Sequence, residues 1–288
     1  MVHSGTESNE SRLVRAVEDV AGTAAGAWLR GAVGAIPATG DVETVLCQRS
    51  AEARRRLGDL ELGSHGPLLC AAQTAVPTAH WTAGDAGRVS LLLAASAARP
   101  EAEAALVHAV FRNGDEAERA AVIRGLSLVP APASLKAIAL EAGRVNSLFL
   151  FRALVLRNPY PAIYYEEHEL NQMVLKALFN ELPLEQIVGL EARANRELSR
   201  MCEDYVGERR AAGRTIPRDI WLALGPEASA TGEALMLEHL ADDERCHRYY
   251  AALAMLRRCH AVPRLRAPLV ERLGIERDPA VLEVLRRA

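Results

Sequence analysis

Several things are scarce in this 288-residue chain, and each scarcity removes a class of protein. Cysteine is limited to Cys47, Cys70, Cys202, Cys246 and Cys259, scattered without framework spacing. An odd, unpaired set of this kind suits buried thiols in a reducing compartment rather than a disulfide-stapled domain. Basic excess is missing: the formal charge is −3, which argues against a dedicated nucleic-acid binder. No apolar run approaches the roughly 18 residues that a membrane span needs. The stretch 24–37 comes nearest, and Arg30 and its glycines interrupt it. The opening MVHSGTESNE has neither the basic nor the apolar region of a signal peptide. Residues 1–10 are therefore read as a disordered lead and the protein as cytoplasmic and not membrane-integral. GxGxxG, Walker A, GxSxG and CxxC patterns are absent, and with them the common phosphate, nucleophile and redox signatures.

Lysine is the scarcest charged residue, with only Lys136 and Lys176 beside 32 arginines. A GC-rich coding bias accounts for the arginine. A lysine kept against that bias marks a place that wants a compact amine rather than a planar fork.

What is present is helical periodicity. Leu198, Met201, Cys202, Tyr205 and Val206 fall at i, i+3, i+4, i+7 and i+8, with Arg200, Asp204 and Glu208 on the other face and Gly213 as the stop. Thr82 and Asp85 form a capping box ahead of Val89 to Leu93, and Asp115 caps Glu116 to Leu128. Further helices fit roughly 11–33, 41–57, 101–112, 133–143, 147–156, 165–180, 218–224, 227–240, 243–259, 264–273 and 278–287. Strand signals are missing. The expectation is an all-α fold, an irregular α-solenoid-like array of antiparallel helix pairs forming one domain over 11–288.

The stretch from Phe149 to Phe179 holds six of the thirteen aromatics. Its helix carries Leu170, Met173, Val174, Ala177 and Leu178 on one face, with Leu175 and Phe179 beside His168, Gln172 and Lys176 on the other. A helix apolar nearly all round is expected at the centre of a domain, with its few polar groups paired or aimed into a pocket. Asn158-Pro159-Tyr160-Pro161 is a turn that either ends one helix and aims the next or holds an amide and a phenol at that pocket. Arg144 and Asn146, and likewise Arg193 and Asn195, precede helices; they are read either as dipole partners and caps or as pocket residues. A metal is not expected. HExxH would need a histidine where Gln172 stands, and the pairs Cys246-His247 and Cys259-His260 are rotated by roughly 220° in one helix. His239 and Cys246, at i, i+7, are too far apart to make a compact site alone, and Asp242 and Asp243 read as helix-start residues.

Asn158 to Ala162, the run Asn171-Gln172-Met173-Val174-Leu175-Lys176-Ala177-Leu178-Phe179, and Arg193-Ala194-Asn195 resemble the EboA-domain family. So does the continuation from Asp204-Tyr205 through Glu208 to Arg214 and on to Pro217, Asp219 and Trp221. The resemblance is specific over roughly 111–221. It implies a bacterial accessory protein of a secondary-metabolite operon, whose companions include a membrane prenyltransferase, a sugar-phosphate-cyclase-like enzyme and TIM-barrel homologues. It carries no catalytic residues over. Two departures stand out: Arg152 and Arg157 replace acidic residues of the family pattern, and Leu170 replaces a Phe, so a change in the ligand charge preferred is expected.

Three functions follow. The first is a binder of a small cyclitol- or sugar-phosphate-like metabolite, with or without a prenyl tail, in a central polar pocket. That pocket would draw on Arg144, Asn146, Asn158, Tyr160, Tyr165, Asn171, Gln172, Lys176, Arg193 and Asn195, with no cofactor. The second is an enzyme in the same pocket, with Lys176 or His168 as base and Tyr160 or Tyr165 as proton donor. The third is a helical scaffold for other proteins of the operon.

Overall fold

The computed structural model describes residues 7–38, 40–63 and 65–288. Two compact units form, one ending at Tyr164 and one beginning at Tyr165, where the sequence suggested an undivided domain. The first contains α1 (Asn9–Ala21), α2 (Thr23–Ala35), α3 (Val42–Leu57), α4 (Ala83–Ala98), α5 (Glu103–Asn113), α6 (Glu116–Gly125), α7 (Lys136–Arg144), α8 (Leu148–Val155) and α9 (Tyr160–Tyr164). The second contains α10 (Glu167–Phe179), α11 (Leu190–Arg193), α12 (Arg196–Ala211), α13 (Trp221–Leu224), α14 (Ala230–Leu240), α15 (Arg245–Arg258), α16 (Arg266–Leu273) and α17 (Pro279–Leu285). The fold is all-α. Among the described residues the only sheet is an antiparallel pair of two-residue strands, Leu68–Leu69 against Ala75–Val76.

Helix ends follow capping chemistry. Ser8 accepts from Ser11 N, so α1 starts at Asn9, inside the segment expected to be disordered; residues 1–6 lie outside the described set. The Thr82–Asp85 capping box forms as read, and Asp115, read as a cap, also makes a box with Glu118. The long helix expected over 11–33 is instead broken at Gly22, whose φ of 88° lies in the left-handed region that glycine reaches without a Cβ penalty.

The helix buried on every side is α4, not α10. Every residue from Ala83 to Ser96 is buried, and α1, α3 and α6 pack around it. Small residues make this possible: Gly87 lies so close to Leu57 that an added Cβ would sit 2.1 Å from its Cδ1. By contrast α10 buries one face, and Phe179 at its end is 74% exposed. The expectation of a central helix at 165–180 is corrected accordingly. Counting apolar residues around α10 missed that Gln172 is exposed and Leu175 and Lys176 half-buried, so the second face is a surface.

The C-terminal helices are tied by a buried carboxylate. Glu276, between α16 and α17, accepts from Arg248 Nε at 2.9 Å and Arg272 Nη2 at 2.8 Å, and from the Arg277 and Asp278 amides. Burial alone would raise its pKa; the Arg248 guanidinium, the two amides and Arg272 outweigh it and bring the carboxyl down to about 2. A depressed acid stabilises the fold above its unfolded value near 4.5, and that contribution is lost as pH falls toward 2. Glu276→Gln is expected to cost about 3 kcal/mol at neutral pH. Its melting temperature should then fall less than the wild type's between pH 5 and pH 3, read by thermal circular dichroism.

Candidate functional site

Among the clefts on the second unit, two gather the polar groups of interest. The first lies between α10 and α12, which meet through the buried stripes Leu170, Met173, Val174, Ala177, Leu178 and Leu198, Cys202, Val206. The outer edges of the two helices leave an open cleft of about 550 Å³. Gln172, Leu175, Lys176 and Phe179 line one wall, and Arg200, Met201, Asp204, Tyr205 and Glu208 the other. Arg200 is held by Glu197 at 2.7 Å and Asp204 at 2.6 Å, so charged and apolar groups alternate along the groove.

The second cleft, about 840 Å³, is lined by the 214–219 loop and by residues at the α14–α15 turn. Behind it Trp221 is fully buried, with its ring centroid 4.5 Å from that of His239. The Trp221 indole donates to His247 Nδ1 at 3.2 Å, and the two imidazoles lie 4.9 Å apart. His239 Nδ1 meets Asp242 Oδ2 at 2.7 Å, and its Nε2 meets Arg210 Nη2 at 2.8 Å. Asp242 Oδ1 accepts from the Glu244 amide at 2.7 Å, and Asp219 Oδ2 from the Leu184 amide at 2.7 Å. Burial, with His239 beside it, lowers the pKa of His247, which is therefore neutral near pH 7. Burial raises that of Asp219, whereas the Glu244 amide and His239 hold Asp242 low against its own burial.

The residues singled out from the sequence fall into several places. Asn158 and Tyr160 are buried in the first unit. The Asn158 amide donates to the Ile123 and Ala153 carbonyls, its oxygen takes the Tyr160 amide, and the Tyr160 hydroxyl donates to Pro132 O at 2.7 Å. Arg144 and Asn146 are exposed at the end of α7, and the cap of α8 is Ser147 rather than Asn146. Arg152 and Arg157 are exposed as well; burial, with Arg124 and Arg157 adding positive charge, brings His80 down to about 4. In the second unit, Asn171 and Asn195 exchange amide hydrogen bonds at 3.1 and 2.9 Å, and Asn195 caps α12 through Leu198 N. Arg193 donates to the Tyr165 carbonyl at 2.7 Å, Tyr165 is buried, and His168 is exposed in the first turn of α10. Gln172 and Lys176 of the set line the α10–α12 cleft together.

The family model for metabolite traffic protein EboA matches residues 10–225, three quarters of the chain. The chain belongs to the EboA family. No curated protein and no solved structure matches it. The EboA match extends well beyond the 111–221 stretch that carried the resemblance, and it includes both walls of the α10–α12 cleft. It also includes Arg210, Asp219 and Trp221 but ends before α14. The second cleft thus joins EboA residues to His239, Asp242 and His247 from the helices that follow.

Sequence reasoning missed this cluster. It set His239 and Cys246 on one face at i, i+7, too far apart for a compact site, whereas residues 241–244 break the chain between α14 and α15 and turn His247 back toward His239. The usable signal was the Asp242-Asp243 start of the second helix, which already implied a reversal there. Neither Cys246 nor His260 joins the ligand-type group that His239, Asp242 and His247 form.

The Asn171–Asn195 pair is a structural link, and its removal is measurable. Asn195→Ala deletes the α12 cap and strands the buried Asn171 amide, an expected loss of about 2–3 kcal/mol in chemical denaturation. A loss below about 0.5 kcal/mol would show that the pair carries no weight.

Proposed function

We infer that this EboA chain is an accessory protein of a bacterial secondary-metabolite pathway that binds a small polar metabolite without transforming it. The ligand class is cyclitol- or sugar-phosphate-like, with or without a prenyl tail, and other proteins of the operon are its partners. The observation that supports this reading is the α10–α12 cleft. There Lys176, Gln172 and Arg200 stand beside Leu175, Phe179, Met201 and Tyr205, so one groove offers charge, amide and apolar surface. A ligand with a polar head and an apolar tail matches that alternation.

Acid/base catalysis through Tyr160 is opposed by the place of that side chain. Its hydroxyl is committed to Pro132 O, and burial raises its pKa, which removes it as a proton donor. No helix among the described residues is long and apolar enough to cross a membrane.

Lys176→Met tests the reading. Isothermal titration with inositol phosphate and with a hexose phosphate should show binding of at least one by the wild type. The variant should bind at least about tenfold more weakly, the effect of one charge-assisted hydrogen bond, with its melting temperature nearly unchanged. A variant that unfolds readily, or one that binds as the wild type does, would overturn the assignment of Lys176.

A further inference from the structure

We propose that the cleft beside Trp221 is a second ligand site, which holds a hydroxyl group of a neutral, hydroxyl-rich small molecule on the Nε2–H of His247. The proposal rests on the reading of the chain as a metabolite binder and adds a site and a ligand chemistry to it.

The argument starts from two groups that can only donate. An indole N–H and a guanidinium have no acceptor, so the ring nitrogens that face them must present lone pairs. Trp221 faces His247 Nδ1, and a neutral His247 therefore carries its proton on Nε2. Arg210 faces His239 Nε2, which places the His239 proton on Nδ1, where it is donated to Asp242. His239 is thereby committed at both nitrogens, while His247 Nε2–H has no partner among the described residues. That donor belongs to a side chain only 7% exposed, at a cleft of a size that suits a small molecule.

The same geometry selects the ligand. His239, Asp242 and His247 present ligand-type atoms all within 4.8 Å of one another, as a metal site would. A metal at His247 Nε2, however, would leave that ring with no proton, since Nδ1 is already an acceptor; a metal at His239 Nδ1 meets the same obstacle through Arg210. Arg209, Arg214 and Arg218 line the cleft too, but its carboxylates outnumber them, and Asp242, held ionised next to His247, opposes an anion at that nitrogen. The group that fits is a neutral oxygen able to accept from Nε2–H and donate to a carboxylate of the cleft, which is a hydroxyl.

The test is a calorimetric titration of the whole protein with inositol, glucose and sorbitol, and separately with Zn²⁺ and with inorganic phosphate. Saturable binding of at least one polyol is expected. His247→Phe keeps a ring and removes the donor, and it should weaken that binding by about tenfold or more. His247→Gln should retain it, because the amide oxygen can accept from Trp221 while the amide nitrogen donates to the ligand. Lys176→Met, titrated in parallel, reports whether a polyol is bound in the α10–α12 cleft instead. Thermal melting establishes that each variant is folded; should His247→Phe not fold, a folded His247→Gln that fails to bind overturns the proposal. It is also overturned if no polyol saturates, if folded His247→Phe binds as the wild type does, or if Zn²⁺ or phosphate binds in a His247-dependent manner. Polyol binding that follows Lys176 and not His247 would overturn this site while leaving the α10–α12 reading intact.

Discussion

The backbone groups left over at helix ends govern where polar side chains go in this protein. Each helix terminus leaves N–H or C=O groups without an intrahelical partner, and burying them unpaired is costly. With seventeen α-helices among the described residues, many of them short, the demand is large. Ser8, Asp41, Thr82, Asp115, Ser147, Asn195, Ser229 and Asp278 all cap helices with their side chains. Asn158 meets the same demand from inside a turn, through carbonyls of α6 and α8.

That demand separates structural from functional polarity. A side chain whose donors and acceptors close a helix end has nothing left for a ligand, however suggestive its place in the sequence. Asn171 and Asn195 show this most plainly, since each amide answers the other and the further bonds of Asn195 go to backbone. What remains includes Gln172 on an open face and the one imidazole nitrogen that Trp221 leaves with a proton.

Burial in the two units is achieved by different means. In the first, α4 is surrounded because glycine, alanine and serine let neighbouring helices approach closely. In the second, α14 through α17 are joined partly by buried carboxylates clasped by arginines, Glu276 by Arg248 and Arg272, and Glu233 by Arg258 and Arg264. An arginine-rich composition suits this, since one planar fork can satisfy both oxygens of a buried acid. Arg248 does so on Glu276, and the carboxylate is then a fixed strut rather than a titrating surface group.

Local chemistry was legible from the chain alone. Periodicity and caps placed most helices within a few residues, because both depend on side chains three or four positions apart. The family was legible too, from Asn158-Pro159-Tyr160-Pro161 and the Asn171 to Phe179 run. Which helix is central was not, since α4 and α10 are both largely apolar and only their neighbours distinguish a buried face from a cleft wall. The His239–Asp242–His247 cluster was likewise decided by tertiary structure, because a turn of four residues reverses the chain and brings Trp221 and Arg210 against rings that sequence spacing had set apart. Spacing fixes which residues share one helix face; the ring nitrogen that keeps its proton is set by a donor from elsewhere in the fold.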